Sequence, residues 1–480
     1  MNPPGSQVSL PLWFVLFGAQ VALAPPHAAS FDSLRPVVDV EENVYAYEPA
    51  NNGAGPMWCS GSTCLVRIGA KLFASGLETI KDCPPLNNCR WTLYTRDETG
   101  WHLLQTDQTD RTREPCPMAA FPGGSLFLSV NPTLVTNRQA GGGPAQPQLL
   151  QFTAPKPGAP FSRLLPVWAG EPKFTEHSYR SLAADGPGGE LILFQNVGYT
   201  HAEWSFRDRN GNWSAQGQLA WPWGAAYERP QPIRVCYPNV ALKGRAVYFC
   251  GVSDIQEPRS EWRQFKHQLT GNEWDYDFRR LFFTWNPDIR AQPFADWIEI
   301  ASRDQTGGWI SPGDLWVDSN EAVHLVWSER AIDERLRAKF FAEAKQSHAI
   351  NYARVQDGKV ALRRTLLEAR EGEGGLVPSS PRFQVLPDQR LILFYLVRGR
   401  TPAGLEVAEN RVVEIKKDGA LGDWVKVPLK VPFSGPFTTT WRAGSSASTA
   451  LELLGPGLDQ GRTIRYARIL LSGSGEAPVR

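Results

Sequence analysis

Two histidines, a tyrosine and two arginines in this chain occupy comparable positions in a repeated sequence unit. His177 and His201 lie in one unit, and Arg234, Tyr237 and Arg280 lie in the next. Imidazole titrates near neutral pH and can act as a general base or acid, and a phenol can exchange a proton where its surroundings shift its pKa. An arginine pairs bidentately with a carboxylate. These types together suit β-elimination, in which a carboxylate is neutralised, a proton is removed beside it and a leaving group departs.

A recurring β-rich unit must position these residues. Each unit is an apolar strand, a Gly-, Asp- or Asn-containing turn, an apolar return strand and a third strand rich in Val, Ile, Phe, Tyr and Trp. The strand pairs are predicted at 64–77, 117–130, 177–197, 237–253, 312–329, 381–397 and 440–455. The third strands are predicted at 90–96, 149–154, 201–208, 279–285, 348–355, 411–417 and 463–470.

Seven such antiparallel units predict an all-β fold, a seven-bladed β-propeller over residues 30–472. The early segment 37–47 is expected to close the ring by pairing with the last blade. Six or eight blades remain open because 53–61 and 442–449 are ambiguous, and a multi-domain β-sandwich is the rival architecture. The insert 330–346 is the one stretch predicted to be helical, and residues 473–480 are predicted to be a C-terminal tail.

The meander predicts which polar residues meet. The start of strand one, the end of strand two and the start of strand three of each blade share one rim. Nine residues are expected there, the catalytic candidates being His177, His201 and Tyr237 and the substrate-binding candidates Arg234, Arg280, His348, Asp314, Glu329 and Arg330. Each has a plainer interpretation, because a histidine at a strand end can bond a loop carbonyl and an arginine can brace a neighbouring carboxylate.

Two other functions stay open on the same scaffold. A glycoside hydrolase needs two carboxylates at a defined separation, for which Asp314 and Glu329 are candidates. A non-catalytic glycan- or protein-binding propeller is the other alternative, because this fold hosts many functions. Metal-ligand spacings such as HExxH or CxxC do not occur in the sequence, and a structural Ca²⁺ ion is left open.

Charge and the N-terminal segment restrict the setting of the protein. Lys and Arg number 50 against 49 Asp and Glu, which argues against nucleic-acid binding. Residues 1–29 are interpreted as a secretory signal with an apolar run at 10–24, so a secreted or periplasmic monomer is expected; an uncleaved anchor is the alternative. Local disulfides Cys59–Cys64 and Cys83–Cys89 are plausible in an exported protein, as is a cross-strand pair of Cys236 and Cys250.

Several of these segments resemble the sialidase-like BNR-repeat proteins, and more narrowly the subgroup that includes ulvan-type polysaccharide lyases. The similar segments are Glu176-His177-Ser178, 182–185, 190–194, His201, Phe206-Arg207, Tyr237-Pro238-Asn239, 246–249, 347–353 and Asp357-Gly358-Lys359. The resemblance covers roughly residues 176–360 and implies elimination on uronic-acid-containing glycans.

By this resemblance His177, His201 and Tyr237 match the catalytic histidine and tyrosine positions of the subgroup. The chain departs from the pattern after the strand that follows the tyrosine, where Cys250-Gly251-Val252-Ser253 stands in place of an arginine. Arg234 or Arg280 would then have to neutralise the substrate carboxylate. An acidic polysaccharide or oligosaccharide is the expected partner.

Overall fold

Seven antiparallel sheets of four strands each account for the repeats, and they form a seven-bladed β-propeller. The computed structural model describes residues 34–153, 155–177, 179–459 and 461–471. The predicted signal segment and the tail at 473–480 lie outside the described residues. No helix in the part of the chain that is described is long and apolar enough to cross a membrane.

The first three blades follow one another without interruption. The chain enters the ring with β1 (Val37–Ala46). Blade 1 contains β2 (Leu65–Ile68), β3 (Lys71–Thr79), β4 (Cys89–Asp97) and β5 (Gly100–Thr106). Blade 2 contains β6 (Met118–Ala120), β7 (Ser125–Val130), β8 (Gln148–Thr153) and β9 (Ser162–Leu164). Blade 3 contains β10 (Arg180–Asp185), β11 (Glu190–Val197), β12 (His201–Arg207) and β13 (Trp213–Ala220).

Blades 4 and 5 carry the insertions. A hairpin of β14 (Trp223–Gly224) and β15 (Gln231–Pro232) precedes blade 4. Blade 4 starts with β16 (Val235–Lys243) and β17 (Ala246–Ser253), followed by β18 (Ile255–Gln256), helix α1 (Ser260–Thr270) and β19 (Tyr276–Asp277), and ends with β20 (Arg280–Asn286) and β21 (Ile298–Ser302). Blade 5 contains β22 (Gly307–Val317), β23 (Val323–Ile332), helix α2 (Glu334–Phe340), β24 (Ser347–Gln356) and β25 (Lys359–Arg370).

The last two blades complete the ring. Blade 6 contains β26 (Gly375–Val385), β27 (Leu391–Arg400), β28 (Glu406–Ile415) and β29 (Val425–Lys426). Blade 7 contains β30 (Phe437–Thr438), β31 (Ala450–Pro456) and β32 (Thr463–Leu470). Strand β1 is its outermost strand and pairs antiparallel with β32, with Val38 opposite Ile469. The prediction that residues 37–47 close the ring on the last blade is confirmed.

Apolar side chains between neighbouring blades hold the ring together. Phe194 of blade 3 packs edge-on against Phe249 of blade 4, with ring centroids 5.2 Å apart. Phe283 of blade 4 and Trp327 of blade 5 belong to the next such cluster and are fully buried. Each buried aromatic of this kind contributes about 1.5–3 kcal/mol relative to leaving it exposed. A single blade cannot bury both of its faces, so the blades stabilise one another.

Two local predictions need correction. Helix α1 was not expected, because the interpretation of the sequence made the insert at 330–346, which contains α2, the only helical stretch. The pair predicted at 440–455 is also not a simple hairpin: residues 439–449 turn at Thr440–Ala443 and Trp441–Gly444 and then lie against the inner strands of other blades before β31 begins. The reason is that this segment bonds to the inner strands of blades 2 and 3, where Ala120 donates to the backbone oxygen of Ala443 and Ala184 to that of Arg442.

Arg442 makes buried polar contacts at the centre of the ring. Its guanidinium bonds Oδ1 of Asp314 at 2.7 Å and the backbone oxygen of Gly61 at 3.0 Å. Both charged side chains are almost fully buried. Gly444 lies beside it with φ +85°, and a Cβ there would lie 1.9 Å from the oxygen of Ala120. Only glycine therefore fits this close approach to the inner strand of blade 2.

The described residues include all seven cysteines, and all are free thiols. The sulfur atoms of Cys59 and Cys64 lie 3.5 Å apart. Cys236 and Cys250 are not cross-strand partners, because Cys236 pairs with Val252 in the β16–β17 register.

Candidate functional site

The rim formed by the starts of the first strands carries a cluster of aromatic and charged side chains between blades 3 and 4. Tyr237 is at its centre, at a bulge of β16 between Cys236 and Asn239, with the backbone in the left-handed region at φ +51°. A non-glycine residue in this region is strained, and a bulge re-aims a side chain. Ser380 has φ +55° at a similar bulge in blade 6. Bulges of this kind therefore occur in more than one blade, and in blade 4 the residue at the bulge is a tyrosine.

Aromatic neighbours fix the ring of Tyr237. Its centroid lies 5.4 Å from that of Tyr179, 5.7 Å from that of Trp58 and 6.0 Å from that of Phe278. Gly61 lets the Trp58 segment approach, since a Cβ there would lie 2.3 Å from the backbone oxygen of Pro238. Burial, and next the phenol of Tyr179, raise the pKa of Tyr237 far above its ordinary value. The phenol is therefore protonated at neutral pH.

Arg234 lies beneath the cluster. It donates to Oδ2 and to the backbone oxygen of Asp254, both at 2.9 Å, and is 5% exposed. The guanidinium carbon lies 3.9 Å from the ring centroid of Tyr199 and 5.3 Å from that of Tyr179. The hydroxyls of Tyr199 and Tyr276 are 2.9 Å apart. Arg234 holds tyrosines in place through cation–π contacts and is covered by them.

His177 borders the cluster on the side of blade 2. Its ring lies edge-on to Tyr179, with centroids 6.3 Å apart, and its Nδ1 accepts a hydrogen bond from Nη1 of Arg113. Since a guanidinium only donates, Nδ1 is unprotonated and the neutral ring carries its proton on Nε2. Burial of the ring and the charge of Arg113 lower the pKa of His177 to about 4. At neutral pH His177 is thus an uncharged donor.

A buried carboxyl group lies next to this pair. Glu114 is 3% exposed, and the nearest guanidinium nitrogens of Arg113 and Arg180 are both 3.9 Å from its oxygens. Oε1 of Glu114 has no hydrogen-bond partner among the described residues. Burial raises the pKa of Glu114 to about 7, although Arg180 and Arg113 oppose the shift.

Other predicted site residues point elsewhere. His201 bonds Glu203 through Nε2 at 3.2 Å and Thr200 through Nδ1 at 2.8 Å. Arg280 donates to Glu299 at 2.6 Å and to the hydroxyl of Tyr227 at 3.2 Å. These contacts involve side chains outside the Tyr237 cluster.

The carboxylates considered for hydrolysis are both in ion pairs. Asp314 is bound to Arg442 at the centre of the ring and also accepts a hydrogen bond from the backbone nitrogen of Phe383. Glu329 accepts from Arg303 at 2.6 Å and is 7% exposed. They line different pockets, that of Glu329 being about 490 Å³ and that of Asp314 about 20 Å³.

His348 and Arg330 meet at a second place on the same rim. They are cross-strand partners on β24 and β23, and with Glu329 they line a pocket of about 490 Å³ between blades 5 and 6. The nine predicted site residues therefore divide: His177, Tyr237 and Arg234 lie in one cluster, Glu329, Arg330 and His348 line another pocket, and His201, Arg280 and Asp314 bond to other groups.

The expectations drawn from the sequence missed several members of the cluster. Tyr199 follows β11, and Arg113 precedes β6, so the rule that assigned rim positions to His177 and His201 would have placed both. Tyr276 and Phe278 lie in the excursion between β17 and β20, for which no repeat pattern exists. Trp309 was missed because β22 starts at Gly307, earlier than the predicted 312.

Among the described residues, no three His, Cys, Asp or Glu side chains gather so as to hold a metal ion. No protein-family model and no curated protein matches the chain.

Solved structures match it at low identity. The polysaccharide lyase Uly1 has a TM-score of 0.48 and 12% identity, covering 91% of this chain and 94% of the other. An α-L-arabinanase of Penicillium chrysogenum, complexed with arabinobiose, has a TM-score of 0.42 and 11% identity over 91% and 99% of the two chains. An apocarotenoid oxygenase of Synechocystis has a TM-score of 0.41 and 10% identity over 88% and 87%. Similarities at this level of identity do not show the activity of this chain.

Proposed function

We propose that the protein is an exported lyase that cleaves uronic-acid-containing polysaccharides by β-elimination at the Tyr237 cluster. The observation that carries the proposal is the phenol of Tyr237, held on a strained bulge among aromatic rings that include Tyr179, which the uncharged donor His177 also contacts. Backbone strain of this kind concentrates at functional sites. Export is proposed from the apolar segment at 10–24.

His177 has the character needed to bind the substrate carboxylate. Its Nδ1 accepts from Arg113, so the ring proton is on Nε2, which has no hydrogen-bond partner among the described residues. Arg113 adds positive charge behind the ring, so a carboxylate in front of Nε2 is favoured. A donor to the C5 carboxylate stabilises the negative charge that develops there when the C5 proton leaves.

Tyr237 would carry the proton. The phenolate, which is the minor form of Tyr237 at neutral pH, takes the C5 proton, the C5–H electrons form the C4=C5 double bond, and the C4–O4 bond breaks. The same phenol, now protonated, returns the proton to O4 of the departing chain. One residue can do both because the two atoms lie on one face of the ring in a syn elimination, and a positioned acid–base group of this type contributes about 10²–10⁴-fold in rate.

The test is an assay on polysaccharides that contain O4-linked glucuronate, in which C5–H and C4–O4 lie on one face of the ring, and the product is followed by the ultraviolet absorbance of the unsaturated sugar. Tyr237→Phe keeps the ring that packs against Trp58 and Phe278 and removes only the hydroxyl. Elimination is expected to fall by about 10²–10⁴-fold in kcat. Tyr248→Phe is the matched control, because Tyr248 is a buried tyrosine of the same blade that lines a pocket at the opposite rim.

Three outcomes would reject the proposal. Reducing ends without the unsaturated chromophore would indicate hydrolysis. Binding of the glycan without turnover at any pH would indicate a binding propeller. Equal loss in the Tyr237 and Tyr248 variants would show that the hydroxyl of Tyr237 has no special part.

A further inference from the structure

The pocket between blades 5 and 6 is built by one row of side chains. Trp309 on β22 is the cross-strand partner of Arg330 on β23, which is in turn the partner of His348 on β24. Directly paired residues point to the same face of a sheet. An indole, a guanidinium and an imidazole therefore stand side by side, with Ser311 and Ser328 forming the next paired positions behind them.

Blade 6 supplies the opposite wall. Val377, Pro378 and Ser379 come from β26, and Arg398, the cross-strand partner of Val377, comes from β27. We call the space of about 490 Å³ between these walls the distal slot. Its volume is in the range of small-ligand pockets.

Two arginines of the distal slot have no ion-pair partner in the part of the chain that the structure describes. Arg330 and Arg398 make no ion pair with any described residue, whereas Glu329, the carboxylate of the lining, is bound to Arg303. The Nε of Arg330 is buried and has no hydrogen-bond partner among the described residues. A buried donor without a partner is costly, so a site of this kind favours an anionic ligand.

An aromatic path connects the distal slot to Tyr237. Phe278 contacts Tyr237 with centroids 6.0 Å apart and contacts Trp309 with centroids 4.5 Å apart. Trp309 is 43% exposed. Exposed aromatic faces on one rim offer stacking surfaces for successive sugar rings, whose C–H faces are apolar.

We propose that the distal slot binds an acidic sugar residue of the same polysaccharide chain, with its carboxylate on Arg330 and Arg398 and its ring against Trp309. This inference rests on the proposed function, since it takes the polyuronate cleaved at Tyr237 as its ligand. It adds that the protein also binds the polysaccharide a few sugars away from the bond that breaks, and therefore prefers long substrates.

The experiment measures binding rather than turnover. Oligoglucuronates, a dimer and an octamer, are titrated calorimetrically into the Tyr237→Phe protein, in which elimination is expected to be about 10²–10⁴-fold slower. The octamer is expected to bind at least about tenfold more tightly than the dimer, and its carboxyl-reduced form to lose that advantage. A sulfated neutral oligosaccharide of the same length is the third probe, and equal binding of it would overturn the assignment to a carboxylate.

Three variants locate the contact. Arg330→Gln, Arg398→Gln and Trp309→Ala are each expected to weaken octamer binding by about tenfold or more and to leave dimer binding unchanged. The arginine variants lose a charge-assisted hydrogen bond to the carboxylate, and Trp309→Ala loses the surface on which the sugar ring packs. Arg398 is exposed, so its replacement leaves the fold intact. Arg209→Gln and Trp424→Ala, exposed residues beside turns of the opposite rim, are the matched controls.

Failure of this inference and failure of the proposed function give different results. If the octamer binds no better than the dimer, or if the slot variants bind it as tightly as the controls do, the distal slot is not a sugar site, whatever the rate of elimination. If the slot variants lose binding while the unmodified protein forms no unsaturated product, the slot is a glycan site and the lyase proposal fails.

Discussion

Arg442, on the segment before the second strand of blade 7, donates a 2.7 Å hydrogen bond to Asp314 of blade 5. The two residues are 128 positions apart in sequence and both are buried. The Arg442 guanidinium also bonds the side chain of Asn239 in blade 4 at 3.1 Å. One arginine therefore ties three blades together at the centre of the ring.

The Asp314–Arg442 pair predicts a stability effect rather than a loss of chemistry. Asp314→Ala should lower the free energy of unfolding by about 3–5 kcal/mol, because it leaves a buried guanidinium without its carboxylate. The measurement is urea-induced unfolding followed by tryptophan fluorescence. The double variant with Arg442→Met should cost less than the single one, and a single variant as stable as the unmodified protein would contradict the role assigned to the pair.

The elimination rate should rise with pH. Burial raises the pKa of Tyr237, so only a small fraction is phenolate at neutral pH and the fraction grows by about tenfold per pH unit. The pH dependence of kcat with a polyuronate substrate checks this. A rate maximum below neutral pH would show that another group accepts the proton.

His177 should make the protein sensitive to acid. Its pKa is 6.5 in the unfolded chain and about 4 in the fold, so the unfolded state binds the proton first as the pH falls. Stability is complete above pH 6.5 and is lost progressively towards pH 4. His177→Gln, which can still accept from Arg113, should lose less stability over this interval, as measured by unfolding midpoints. His102→Gln, at an exposed position, is the control and should behave like the unmodified protein.

Glu114 should give a pH dependence of stability opposite to that of His177. Its pKa is 4.5 when unfolded and about 7 in the fold, so the folded state retains the proton and stability falls as the pH rises from 4.5 to 7. Glu114→Gln imitates the protonated carboxyl group. The stability of this variant relative to the unmodified protein should therefore increase across the same interval, and a constant difference would show that the carboxyl group titrates normally.

Oxidation should join Cys59 to Cys64 and leave Cys236 and Cys250 as thiols. The first two sulfur atoms are 3.5 Å apart, and Cys59 is partly exposed, whereas Cys236 and Cys250 are buried and not paired in register. Treatment of the native protein with oxidised glutathione, followed by alkylation and peptide mass spectrometry, checks the linkage. A Cys236–Cys250 peptide would contradict the strand register.

Strand order and blade number were predictable from local pattern. Apolar alternation and turn residues recur along the chain, and antiparallel neighbours in a meander are neighbours in sequence. The same regularity placed His177 and Tyr237 on one rim. Helix α1 was not predicted because polar and apolar residues are mixed along its sequence. In the fold its Trp262 is buried against Phe340 and Phe341, at the end of α2.

By itself, then, the sequence determined the toroidal β-fold, because this follows from contacts between near neighbours in the chain. Its closure by residues 37–47 joins the two ends of the described chain, and it was predictable because the repeat leaves the last blade with an unpaired edge. Only the tertiary structure decided which of those side chains meet. Asp314 bonds to Arg442, which comes from a distant blade, His201 bonds to Glu203, and Nε of Arg330 has no hydrogen-bond partner among the residues that the structure describes. Such choices depend on how blades pack against one another, and periodicity within a strand carries no information about the neighbour that its side chain will find.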